Sequence, residues 1–173
     1  MATLALSRDL FRSYARLERQ VRNRVDELVT LFQTRGAAEL GLQGGVNLEK
    51  HTNQKDPRAR TVRITRNLRG IVCDLGDNNS FVLHEILTHD DAEAWMSRNE
   101  FRANPKTGAL EVIDIEFIEP FIVDPPKDTP DADALFTHRA DKDFVQLGVN
   151  PSLIPALRAF TDEDELQALL AVL

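Results

Sequence analysis

Apolar residues recur at steps of three and four through Leu10, Tyr14, Leu17, Val21, Val25, Leu28 and Phe32. That spacing predicts a helical stripe with one buried side. Ser7, two residues before Asp9, predicts the N-cap, and Gly36 a stop. The period accepts one helix from Ser7 to Arg35, or two helices with a break near Arg16 to Arg19. Arg8, Arg12, Arg16 and Arg19 form a second stripe on a different, exposed side. Residues 36–45 are glycine-rich and predict a loop. From Arg60 the period becomes two, with Val62 and Ile64 on one face and Thr61, Arg63 and Thr65 on the other. Leu68 to Leu75 and Ser80 to Thr88 are two further β-rich runs. Arg66-Asn67 and Gly76-Asp77-Asn78-Asn79 supply the breaks. Connections this short predict a three-stranded antiparallel meander, because parallel crossovers need a dozen or more residues.

Asp90 to Asn99 predicts a short helix capped by Asp90 or Asp91, with Ala92, Trp95 and Met96 on its apolar side. Phe101 to Ile115 predicts a hairpin that turns at Asn104-Pro105-Lys106-Thr107-Gly108. Pro120, Pro125, Pro126 and Pro130 predict an extended linker. Beyond it, Asp131 to His138 and Asp141 to Leu147 are candidate helices, the second ended by Gly148. Asn150-Pro151 predicts an N-cap followed by proline at the first helical position. Thr161 with Asp164 resembles a capping box for a last helix through Leu166, Leu169 and Leu170. The expected organisation is an α+β domain over 1–118, a proline-rich linker over 119–130 and a small helical connector over 131–173.

Composition changes the picture in three ways. The chain has 173 residues, 42% hydrophobic and 28% charged, which is a globular composition. Its one cysteine, Cys73, excludes an internal disulfide framework and a cysteine-based zinc site, and leaves the cytoplasm as the expected location. The apolar start, Met1 to Leu6, is too short for a membrane span. Charge is uneven. Residues 1–73 carry 14 Lys and Arg against 7 Asp and Glu, a net of +7, and residues 74–173 carry 7 against 21, a net of −14. A basic half can face nucleic acid within an acidic chain, because fields act over about a Debye length of 8–10 Å. No P-loop, dinucleotide fingerprint, zincin motif or nucleophile elbow is present.

The stretches Asp56-Pro57-Arg58-Ala59-Arg60-Thr61-Val62-Arg63-Ile64 and Leu68-Arg69-Gly70-Ile71-Val72 resemble the core of the RelE/ParE-type toxin superfamily. Thr88-His89-Asp90-Asp91-Ala92-Glu93-Ala94-Trp95 resembles its closing helix. Asn104 to Leu110 resembles a hairpin of the subgroup found at the N-terminus of UvrD/Rep-type DNA helicases. The resemblance covers about residues 8–118. It implies an α+β fold, an N-terminal helical pair packed on an antiparallel β-sheet, followed by a small helical extension. It also implies contact with DNA or RNA, or with a helicase core if the chain is an N-terminal fragment.

Arg60, Arg63, Arg69 and Lys50 are the candidate phosphate contacts, since a guanidinium on a rigid strand presents a planar donor fork. Pairing of these arginines with acidic residues is the bland reading. His89 is the candidate catalytic residue, because imidazole exchanges protons near neutral pH. Asp90 and Asp91 beside it favour a proton donor over a base, and Glu85 is the other base candidate. No cofactor or metal is expected. The reading is an accessory toxin-like helicase module without nuclease activity. The alternatives are an active ribosome-dependent mRNA interferase and a protein-interaction module.

Overall fold

The computed structural model describes residues 2–34, 47–76, 79–123, 134–164 and 166–167. It divides into two compact units, Met1–Phe101 and Arg102–Leu173. The sequence expectation placed its boundary at 118.

In the first unit the apolar start of the chain is strand β1 (Thr3–Leu6), which the sequence reading did not assign. Ser7 ends it and caps helix α1 (Arg8–Ala15), its hydroxyl accepting from the Leu10 N–H at 3.1 Å. The break falls at residues 16–18, and α2 spans Arg19–Thr34, so the two-helix alternative is the one realised. The predicted stop at Gly36 and the 36–45 loop lie outside the described residues. Leu10 from α1 and Val25, Leu28 and Phe32 from α2 bury one face of a sheet through Val62, Ile64, Val72, Phe81, Leu83 and Ile86. The Tyr14 hydroxyl donates to Asp26 at 2.8 Å and ties the two helices together.

The sheet comprises β1, β2 (Leu48–Glu49), β3 (Ala59–Arg63), β4 (Leu68–Asp74) and β5 (Ser80–Thr88), in the order β1-β5-β4-β3-β2. The β3-β4-β5 meander is antiparallel as expected. The sheet as a whole is mixed, which corrects the antiparallel expectation, because β1 pairs with β5 in parallel. The physical reason is chain length: the connection from β1 to β5 carries the helical pair and three strands, ample for a crossover. Where β1 stops, α1 takes over the β5 edge. The Ser7 hydroxyl donates to the His84 carbonyl, and the Ile86 N–H donates to the Ser13 hydroxyl at 3.2 Å. Two serines therefore satisfy edge groups that a strand would otherwise have to meet.

Gly70 stands opposite Val62 and Ile86 on the helix-covered face. A Cβ there would lie 2.9 Å from Leu83 Cδ1 and 3.0 Å from Val62 Cγ1. We expect Gly70→Ala to cost about 1–3 kcal/mol through overpacking. Urea unfolding checks it, and an unmoved midpoint would mean that the two side chains yield freely.

Helix α3 (His89–Arg98) packs on β4 and β5. Its cap is Thr88, not Asp90 or Asp91: the hydroxyl accepts from the Asp91 N–H at 3.2 Å and donates to the Asp91 carboxylate at 2.6 Å. The acidic residues instead lie in the first turn, where they complement the helix dipole. Strand β6 (Asn99–Ala103) carries the chain into the second unit.

There β6 and β7 (Leu110–Asp114) form a two-stranded sheet around the predicted turn, with Gly108 at φ +71°. The Asn104 side chain organises this turn. Its oxygen accepts from the Lys106 and Thr107 N–H groups, and its amide donates to Glu111 and to the Gly148 carbonyl. The start of the expected linker is helix α4 (Ile115–Val123), with Pro120 inside it. Residues 124–130 lie outside the description. Residues 135–138 are turns rather than helix, and 131–133 are not described. Helix α5 (Asp141–Gln146) is followed by Gly148 at φ +92°. Asn150 caps a 3-10 turn (Pro151–Leu153) with Pro151 in its first positions, and α6 (Ile154–Ala159) follows. Residues 163–164 and 166–167 are helical, and the rest of the expected last helix is not described. Among the described residues no helix is long and apolar enough to cross a membrane.

Candidate functional site

Residues 64–67 join β3 to β4 and reach toward α3. The Thr65 hydroxyl accepts from the Asn67 and Leu68 N–H groups at 3.2 and 3.1 Å. The Leu68 carbonyl accepts from the Ile64 and Thr65 N–H groups. The Asn67 carbonyl accepts from the His89 N–H at 2.9 Å, which fixes the start of α3 to this turn. Arg63, Arg66, Arg69 and His89 therefore gather at one end of the sheet.

Their roles differ. Arg69 is buried, and its NH1 donates to the carbonyls of Thr65 (3.1 Å), Leu68 (3.2 Å) and Arg66 (3.4 Å). It braces the turn from inside, whereas the sequence reading expected an exposed phosphate contact. Arg63 and Arg66 are exposed. Arg63 pairs directly across the ladder with Arg69. Like charges so placed are destabilising. Among the described residues, the ion pairs include neither Arg63, Arg66 nor Arg69. The bland reading, pairing with acidic residues, is absent for Arg63 and Arg69 among the described residues. Arg66 escaped sequence reasoning because it was read only as a break; an arginine in the middle of a strand-to-strand turn was the available signal.

Arg60 and Lys50 stand apart. Alternation puts Arg60 on the face of Val62, away from Arg63, and its NH1 donates to the Pro57 and Ala59 carbonyls at 2.6 Å each. The β2–β3 register, Glu49 opposite Thr61, leads Lys50 toward Arg60 and away from the 64–67 turn. The arginine-lined single face is thus two places. The strict alternation of β3 already separated them.

His89 is half-exposed. Its Nδ1 lies 3.5 Å from an Asp90 carboxylate oxygen and 3.7 Å from one of Glu93. Glu85 lies two residues before Leu87, the register partner of Arg69, so it shares the face of Arg63 and Arg69. Burial, and then the Asp9 carboxylate, push the Glu85 carboxyl above its ordinary range, against the opposing charge of Arg16. Glu85 lies on β5 three residues before its end at Thr88, and His89 is the first residue of α3.

Beneath α3 the same face is apolar, with Ile71, Cys73, Ala92 and Met96 buried. Burial pushes the Cys73 thiol up to about 12, so it is an inert core residue. Trp95 anchors the helix through ring contacts with His84 and Phe101, at 5.7 and 5.2 Å between centroids. His84 sits where the ladder slips, since Ile71 faces Glu85 while Val72 faces Leu83. Burial lowers its pKa, and the charge of Asp9 works the other way. A histidine whose folded pKa is depressed adds stability above its unfolded value, about 6.5. That stability is lost as pH falls through the folded value. We expect melting temperature to fall from pH 7.5 to 5.5, and His84→Leu to flatten that limb. An equal fall in the variant would place the effect elsewhere.

Among the described residues, no cluster of three or more His, Cys, Asp or Glu side chains is arranged to hold a metal ion.

No family model and no curated protein matches the chain. Among solved structures, a RelB–RelE antitoxin–toxin complex from Methanococcus jannaschii is similar at 11% identity and TM-score 0.40, over 53% of this chain and 96% of that one. A YoeB dimer from Staphylococcus aureus is similar at 19% identity and TM-score 0.39, over 51% and 97%. A YoeB/ParE toxin from Agrobacterium tumefaciens is similar at 14% identity and TM-score 0.39, over 50% and 98%.

Proposed function

We propose that the chain is a RelE/ParE-type toxin-like protein that acts on RNA as a ribosome-dependent interferase. The observation that carries this reading is the gathering of Arg63, Arg66 and His89 at one end of the sheet, with Arg69 bracing the turn and Glu85 further along the same face of the ladder. Cleavage at a phosphodiester by the ribose 2′-OH needs a base for that hydroxyl, cations for the charged intermediate and an acid for the 5′-oxygen. Glu85 takes the 2′-OH proton, and its raised carboxyl pKa suits that task. Arg63 and Arg66 hold the phosphate oxygens. His89 gives a proton to the departing 5′-oxygen, with the Asp90 and Glu93 carboxylates 3.5 and 3.7 Å from its Nδ1.

The second reading, an accessory module of a UvrD/Rep-type helicase, is supported by the sequence of the Asn104 to Leu110 turn. Both readings are tested by incubating the full chain with programmed ribosomes and labelled mRNA. Cleavage lost in Arg63→Ala supports the interferase. Salt-sensitive binding of nucleic acid without any cleavage overturns it and favours the accessory module. Absence of both favours a protein-interaction role.

A further inference from the structure

A second concave feature lies on the other side of Arg63. The α2 face carrying Gln20, Asn23, Arg24, Glu27, Leu28 and Leu31 and the end of β3 at Arg63 and Ile64 enclose a cleft of about 530 Å³. Its floor is apolar: Leu28 and Ile64 are buried, and Leu31 is half-buried. Its rim is polar and exposed, with one guanidinium on each wall, Arg24 from the helix and Arg63 from the strand. The one hydrogen bond recorded for the Arg63 side chain is a long one, from Nε to the Thr65 carbonyl at 3.4 Å. Neither guanidinium is in an ion pair among the described residues. Glu27 is the single carboxylate of the lining.

Each part has a chemical counterpart. Two guanidinium-bearing residues in one lining, Arg24 and Arg63, suit a phosphate diester or monoester. An apolar floor suits the flat face of a base, which gains by leaving water whatever its identity. The volume lies within the range of small-ligand clefts, and a bare phosphate would leave most of it to water. Gln20 and Asn23 each offer a donor and an acceptor and so discriminate little. Glu27 when ionised is acceptor-only, so it favours a base edge that carries an exocyclic amino group, as cytosine, adenine and guanine do and uracil does not.

We propose that this cleft takes one unstacked nucleotide of the bound strand, with phosphate at Arg24 and Arg63, base over Leu28, Leu31 and Ile64, and a base bearing an exocyclic amino group preferred to uracil through Glu27. The proposal rests on the RNA reading above and names the part of the strand that passes beyond Arg63. It gives α2, which has no part in the chemistry at Glu85 and His89, a role in choosing the substrate.

The test is equilibrium binding of cytidine, adenosine and uridine 5′-monophosphates, and of inorganic phosphate, to the full chain at low salt. The expected result is that the cytidine and adenosine nucleotides bind about 5- to 10-fold tighter than uridine monophosphate, the low end of base discrimination for an exposed site. Phosphate is expected to bind weakest. Arg24→Ala should weaken all three nucleotides, and Glu27→Gln should remove the preference while uridine monophosphate still binds. Lys106→Ala, at an exposed position that does not line the cleft, should leave mononucleotide binding unchanged. Equal binding of the three nucleotides, phosphate binding as tight as theirs, or indifference to Arg24→Ala would each overturn the proposal. Nucleotide preference in a chain that never cleaves RNA would overturn the interferase reading and leave the cleft assignment standing.

Discussion

Replacing Glu85 by Gln is expected to lower RNA cleavage by about 10²- to 10⁴-fold, the usual worth of a positioned general base, while raising stability at neutral pH. The two halves of that expectation have the same cause. Burial and the Asp9 carboxylate raise the Glu85 carboxyl pKa in the folded chain. A carboxyl raised on folding contributes its stability below its unfolded pKa, and that contribution is lost as pH rises through the folded value. At pH 7.5 the ionised side chain therefore opposes folding, and an isosteric amide relieves it. The pairing matters because a structural residue behaves differently: its loss lowers activity and stability together. Cleavage assays on programmed ribosomes, with urea unfolding at pH 7.5 and pH 4.5, read both. Full activity in Glu85→Gln would remove this residue from the mechanism. A fall in stability at pH 7.5 would mean that its contacts outweigh its burial.

Asp56→Ala is expected to destabilise the first unit by about 2–3 kcal/mol, because the buried Phe101 N–H loses its acceptor while the partly exposed Arg58 guanidinium can turn to water. Asp56 is buried at 1% exposure and accepts four hydrogen bonds. They come from the Arg58 N–H at 2.8 Å, Arg58 Nε at 3.1 Å, Arg58 NH2 at 3.0 Å and the Phe101 N–H at 2.9 Å. Arg58 in turn donates to the Phe101 carbonyl. This one carboxylate thus joins the start of β3 to β6, beside the Trp95 and Phe101 rings that seat α3. Burial alone would raise its pKa, but the Arg58 and Phe101 hydrogen bonds and the guanidinium charge outweigh it and hold the carboxyl below its ordinary range. A depressed carboxyl contributes stability above its unfolded pKa and loses it as pH falls through the folded one. Acid unfolding should therefore have two stages, His84 in mild acid and Asp56 at lower pH. Asp56→Asn should also destabilise, since an amide nitrogen would face a donor from Arg58 or Phe101. Melting temperature followed from pH 7.5 to 3 checks this, and a wild-type lower stage that survives in Asp56→Asn would assign it to another group.

The Asp-Pro-Arg stretch was legible as a sequence signature, but its purpose was not. Reading Asp56 as the acceptor for a backbone N–H 45 residues later requires the chain to be folded. The arginines show the same division. Alternation in β3 sets Arg60 and Arg63 on opposite faces, and that could be read directly. The burial of Arg69 could not, because three turn carbonyls rather than any residue pattern draw its side chain inward.

Local periodicity by itself determined the helical stripe from Leu10 to Phe32, though not its division into two helices, and with it the β3-β4-β5 meander, the short helix after Thr88, the turn at Asn104 to Gly108 and the cap at Asn150. Each depends on contacts a few residues apart, so its pattern is written in adjacent positions. Tertiary structure alone decided that Thr3–Leu6 is a strand and that it runs parallel to β5, since four residues carry no period strong enough to choose a partner. It also decided that the 64–67 turn meets the start of α3, which sets His89 beside Arg63 and Arg66. That meeting depends on the register of three strands, and register is fixed only when the two buried faces of the sheet are filled together.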